Sequence, residues 1–242
     1  MDNTAKSDPG KRENPLVNMG FNILIPILLL TKGSDWFGFS AATNLVVSLA
    51  FPVSYGIFDF TVRKKFNFIS LLGFISILLT GGIGLLKLPS GWIALKEAAI
   101  PLILGIAVVL SLKTRYPLVK TFLMNPDVVD TEKIREALQA NGNEDDFQNL
   151  LRSSTYWVAA SFLLSAILNF VLAKVVVTSP SGTEAFNAEL GRMQGLSYIV
   201  IFVPCLVVLV AALFRLFNGI KSLTGLEWEE FLADGRKPPE SG

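Results

Sequence analysis

The chain has 242 residues, 51% hydrophobic and 17% charged, with a net charge of +1 and a mean hydropathy of +0.52. Soluble domains carry about 25% charged residues, so the deficit and several long apolar runs specify a polytopic membrane protein. The near-neutral charge, the absence of histidine and the single cysteine, Cys205, exclude a nucleic-acid footprint, Ser-His-Asp and Cys-His nucleophiles, His-based zinc sites and any intrachain disulfide.

In chain order, residues 1–15 are polar and rich in turn formers, the composition of a disordered tail. No small-residue cleavage site follows the first apolar run, so no cleaved signal peptide is expected. Segment 16–31 is apolar but holds Asn18, Asn22 and Pro26. As a helix it reaches roughly 24 Å against a hydrocarbon thickness of ~30 Å, and it is expected to span with local thinning. Residues 32–38 read as a short loop with Trp36 and Phe37 at interface depth. Further spans are expected at 39–62, 66–88, 91–112, 155–177 and 195–217, with 178–194 a polar loop.

Segment 117–154 is a cytoplasmic insertion with helix signals. Asp130 or Thr131 can cap a helix that Asn141-Gly142-Asn143 ends. Asn143 can cap a second helix, with Glu144, Asp145 and Asp146 favourable in its first turn. Its apolar face, Phe147, Leu150 and Leu151, is expected at the membrane interface before the fifth span. The tail, 218–242, contains LEWEEFL, with Trp228, Phe231 and Leu232 near one face. It is too acidic to seek anionic lipid and is expected to pack on the protein.

Lysine and arginine set the orientation. Alternate loops hold Lys11 and Arg12; Arg63, Lys64 and Lys65; Lys113, Arg115 and Lys120; and Arg215 and Lys221, while the others hold only Lys32, Lys87 and Arg192. The fold expected is therefore an all-α bundle of six spans with both termini cytoplasmic. A five-span alternative would put Lys11 and Arg12 outside.

The spans carry polar stripes. Asn44, Ser48, Tyr55 and Asp59 share a face of the second, and Asp59 has Arg63 at i+4 as an ion-pair partner. Ser76, Thr80 and Gly84 repeat every four residues in the third, and Ser161, Ser165, Asn169 and Ala173 in the fifth, the small-residue pattern of helix packing. In the fourth, Lys96 falls over Ile100, Ile103 and Ala107 and is expected to snorkel to the headgroups as a lipid-side anchor. Glu97 falls with Pro101 and Gly105 on the inward face, with Lys174 as the partner expected by depth. Glu97, Lys174, Asn44, Ser48, Tyr55, Asp59 and Asn169 thus form a candidate intramembrane polar site, and no span carries paired carboxylates for a metal.

Five passages carry a family resemblance. The short first span leads through Lys32 to Ala41-Ala42-Thr43, and the second ends in the aromatic and basic run 58–65. The third holds Thr80-Gly81-Gly82; Trp92 and Lys96 open the fourth, which closes into Tyr116-Pro117-Leu118-Val119-Lys120; and the fifth has Trp157 with Asn169 twelve residues on. Over roughly 21–123 and 155–177 this order resembles the bacterial intracellular septation protein A family. The polar N-terminus, the insertion 125–153 and the loop 178–194 have no counterpart there. The resemblance implies a multi-pass inner-membrane protein of cell-envelope maintenance and septation, with no catalytic residues to transfer. The function expected is non-enzymatic, without cofactor, acting in the lipid bilayer through membrane protein partners or self-association and without nucleic acid. The alternative is a small-solute or ion transporter or channel using Glu97 and the stripe from Asn44 to Asp59.

Overall fold

The computed structural model describes residues 23–63, 68–114, 117–125 and 128–232, and their side chains except at 58–63, 68–71 and 122–123. Among the described residues it is all-helical. The helices are α1 (Ile25–Phe37), α2 (Ala41–Arg63), α3 (Phe68–Leu85), α4 (Gly91–Ser111), α5 (Leu118–Leu123), α6 (Thr131–Asn141), α7 (Glu144–Val176), α8 (Glu184–Ser197), α9 (Val203–Thr224) and α10 (Trp228–Phe231). A π-helical turn, Tyr198–Phe202, joins α8 to α9. Pro204 follows it, and the wider turn accommodates a residue with no N–H to give and a ring that would meet the carbonyl four residues back.

Three helices are long and apolar enough to cross a membrane: Gly91–Ser111, Glu144–Val176 and Glu184–Thr224. Ala41–Ile57 and Leu72–Leu85 are shorter apolar helices. Val175, Ile199 and Val207 are 70%, 71% and 63% exposed. Side chains of that kind pointing outward suit lipid and not water, so the chain is a membrane protein.

Three boundaries differ from expectation. The expected loop 32–38 is helical through Phe37, because Gly38 takes the left-handed conformation and returns its N–H to Ser34 O. Residues 16–22 of the expected first span, like the tails 1–15 and 233–242, lie outside the described residues. The expected loop 178–194 is helical from Glu184, where Thr183 Oγ1 accepts the Phe186 N–H at 3.2 Å as a cap. The second insertion helix and the fifth span are one continuous helix of 33 residues, α7.

The chain divides into two compact units, Met1–Lys96 with Ala173–Leu196, and Glu97–Leu172 with Ser197–Gly242. In the first, α1, α2 and α8 meet through small residues. A Cβ on Gly33 would overlap Asn44 Oδ1, and one on Gly191 would lie 2.8 Å from Thr31 Cγ2 and 3.1 Å from Ile27 O. Asn187, fully buried, donates from Nδ2 to Ala41 O at 2.7 Å.

In the second, a headpiece core forms from Val129, Ile134, Leu138, Phe147, Leu151, Leu216, Ile220 and Phe231. Asp130 Oδ1 accepts the Lys133 N–H at 3.0 Å and so starts α6, and left-handed Gly142 ends it, as the sequence specifies. Phe147 and Leu151 are not presented outward, as a face lying on the membrane interface would be; they are buried in one core with Leu216 and Ile220. The reason is a binding surface on α9: a Cβ on Gly219 would overlap Leu150, so that glycine lets α7 approach closely. Asn143 turns its side chain to α9, donating to Leu223 O at 2.8 Å, while Asn141 donates to Leu223 O and Thr224 O at 3.2 and 3.1 Å. These amides satisfy carbonyls that a helix C-terminus leaves without an internal partner. The described part of the tail, 218–232, packs on the protein as expected, with Phe231 fully buried.

Candidate functional site

The central correction concerns Lys96. It does not snorkel: it is 8% exposed, and its Nζ donates to Ser76 Oγ at 3.0 Å and to Thr80 Oγ1 at 2.8 Å. The first turns of α4 explain this. Ile93 and Ala94 are 0% and 1% exposed, and Lys96 lies one turn from Ile93 on the same enclosed face. Ile103, further along, is 54% exposed. A helix that crosses its neighbours at an angle buries different faces at different heights, so Ile103 and Ala107 are poor guides to the surroundings of Lys96.

Ser76 and Thr80, expected as packing residues, are therefore acceptors for a buried cation. Thr80 Oγ1 also donates to Ser76 O at 3.0 Å. The hydroxyl proton is fixed on the backbone and its lone pairs are turned to the ammonium. Hydrogen bonds to a charged donor are about twice as strong as neutral ones. The pair clamps α3 to α4.

The stripe on α2 is closed at its upper end. Asn44 and Ser48 are 1% and 0% exposed. Ser48 Oγ donates to Asn44 O at 2.7 Å. Asn44 Oδ1 accepts no hydrogen bond and stands where a Cβ on Gly33 would be. Tyr55 is half-buried. The side chains of Asp59 and Arg63, and with them the expected ion pair, lie outside the described residues. Gly84 packs in the same unit, where a Cβ would overlap Leu45 and come within 3.2 Å of Phe186.

In the second unit Glu97 is half-buried. Further along α4, a Cβ on Gly105 would meet Phe162 Cβ at 3.0 Å and Ala159 O at 3.5 Å, so α4 lies against α7 at that height. Ser161 Oγ donates to Cys205 O at 3.1 Å, tying α7 to α9. Asn169 Nδ2 turns back on its own helix, to Ser165 O at 2.8 Å and Ser165 Oγ at 3.3 Å. Lys174, in the first unit, is exposed, its Nζ 3.6 Å from where a Cβ on Gly91 would stand.

Most hydroxyls in the apolar helices donate to their own backbone one turn back: Thr31 to Ile27 O, Thr155 to Leu151 O and Thr224 to Ile220 O, each at 2.7–2.9 Å. Among the described residues no group of His, Cys, Asp or Glu is placed to hold a metal ion.

Two features had no sequence signal strong enough to find. Glu189 accepts from Thr178 N and Ser179 N, each at 2.9 Å, and from Ser179 Oγ at 2.7 Å, so it ties down the turn before α8. Burial pushes its carboxyl up, but the bonds from Ser179 and Thr178 outweigh that and hold it below the ordinary value. The headpiece also carries a groove of about 580 Å³ with Ile134, Leu138 and Phe147 in its lining and Lys120, Arg135 and Glu144 among its polar groups.

Compared with known proteins, the chain matches no protein-family model, no curated protein and no solved structure.

Proposed function

We propose that the chain is a six-span bacterial inner-membrane protein, with both termini cytoplasmic, that serves cell-envelope maintenance or septation by binding protein partners, without catalysis. The observation that carries this reading is the Lys96–Thr80 hydrogen bond. It joins two of the passages on which the resemblance to the septation protein A family rests, Thr80-Gly81-Gly82 and the Trp92–Lys96 opening of α4. The burial of Asn44 and Ser48 supports a scaffold in the same way. The basic clusters at alternate loops support the orientation.

The test is complementation of cells lacking the chain, scored for division and envelope integrity. Charge reversal on the headpiece, Lys120→Glu with Arg135→Glu, is expected to abolish rescue while protein level and membrane insertion stay normal. Glu97→Gln is expected to rescue. The opposite pattern rejects the reading.

The second reading is a small-solute or ion transporter using Glu97 and the stripe from Asn44 to Asp59. It is favoured by the burial of the Lys96 ammonium among apolar helices, since ionisable groups there are costly and tend to mark function. Flux through proteoliposomes that Glu97→Gln removes would establish it.

A further inference from the structure

We propose that residues 225–232 form a strap that opens and closes as a unit over the headpiece core, independently of α6 and α7, and that the groove is fully built only when the strap is shut. The strap leaves the end of α9 through Gly225, which is left-handed at φ +77° with nothing near the position of a Cβ. Three residues later the four-residue helix α10 begins, held by a capping box between Glu227 and Glu230.

Its attachments are few. Phe231 is fully buried in the socket of Val129, Ile134, Leu216 and Ile220. Asp130 N donates to Phe231 O at 2.8 Å, beside the antiparallel bridge between Val129 and Leu232. Trp228 meets Phe214 and Phe217 edge-on, at 5.3 and 6.0 Å between ring centres. The ion pairs Lys221–Glu227 and Lys133–Glu230 are both exposed, so each contributes little and salt screens it. One fully buried side chain, the partly buried Leu226, Trp228 and Leu232, and one bridge must offset the ordering of eight residues, which places the strap at the low-stability end of the headpiece.

Opening has a consequence on the far side of α6. Ile134 and Leu138 belong both to the core that Phe231 completes and to the groove lining. Withdrawal of Phe231 removes packing from behind the groove while the caps of α6, at Asp130 and Gly142, stay in place. The strap would thus regulate whatever the headpiece recognises. That use rests on the partner-binding reading; the opening itself does not.

Hydrogen exchange on the full chain in nanodiscs tests the proposal. The amide of Asp130, which donates to Phe231 O across the contact between strap and headpiece, is expected to exchange at least about tenfold faster than that of Leu138 inside α6, as a sub-global opening requires. A disulfide from Val129→Cys with Leu232→Cys, in a Cys205→Ala background, is expected to slow the Asp130 amide toward the α6 rate. Directly opposed residues of an antiparallel bridge lie within disulfide range. One common rate for Asp130 and α6 in the unaltered chain overturns the proposal, and so does a formed disulfide that leaves the Asp130 amide unchanged. Neither result depends on the complementation assay, so failure here and failure of the partner-binding reading are distinguishable.

Discussion

Removing the hydroxyl of Thr80 should destabilise the protein through Lys96 and not through Thr80 itself. Thr80→Val keeps shape and β-branching but leaves the buried ammonium with one fewer of its two hydroxyl acceptors. Interhelical hydrogen bonds in membrane proteins average about 0.6 kcal/mol and reach about 1.7 kcal/mol. A charged donor doubles a neutral bond, so Thr80→Val is expected to cost ~1–2 kcal/mol, a factor of about 5–30 in the unfolding constant. Lys96→Met retains the stem and removes both the bonds and the charge that required them. It is expected to be nearly neutral, because replacing buried charge by a well-packed apolar chain often is. In the Lys96→Met background Thr80→Val should then cost almost nothing. Reversible unfolding in mixed micelles measures all four corners of the cycle, with Thr80→Ser as the control that keeps the oxygen. A coupling below about 0.3 kcal/mol, within the error of additive sites, would refute the clamp and restore Lys96 to the headgroups.

Gly33→Ala places a methyl where Asn44 Oδ1 stands and should cost about 1–3 kcal/mol through overpacking; thermal unfolding should show Asn44→Ala recovering much of that loss in the double variant. Asn141→Ala with Asn143→Ala removes three bonds to the α9 carbonyls and is expected to cost about 1–2 kcal/mol in denaturant unfolding, given roughly 1 kcal/mol net per bond and partial exposure. Glu189 has a lowered folded-state pKa, so its contribution is present above the unfolded value of 4.5 and is lost as pH falls through the still lower folded value. Amide exchange at Thr178 and Ser179 should accordingly rise in acid beyond its intrinsic pH dependence, and Glu189→Gln should flatten that rise while weakening the turn at pH 7.

The amino-acid sequence by itself determined what depends on composition and local chemistry. A long apolar stretch needs lipid or a core, and Gly91–Ser111 is legible on that ground alone. Asp130 and Gly142 bracket α6 because capping and left-handed backbone are properties of those residues in place. That Gly105 packs against protein was legible from the small-residue face of α4. What the sequence left undecided was the neighbour of each face. In helices that are apolar all round, helical periodicity says which residues share a side but not what that side meets. Lys96 could be aimed at lipid on the strength of Ile103, and Phe147 at the membrane interface on the strength of amphipathicity. Only the tertiary structure turned the first onto Ser76 and Thr80 and the second onto Leu216 and Ile220, because a close contact needs a matching surface elsewhere in the chain. The glycines and hydroxyls that supply those surfaces, Gly33 for Asn44, Thr80 for Lys96 and Gly219 for Leu150, lie 11, 16 and 69 residues from their partners. No periodicity within one helix relates them.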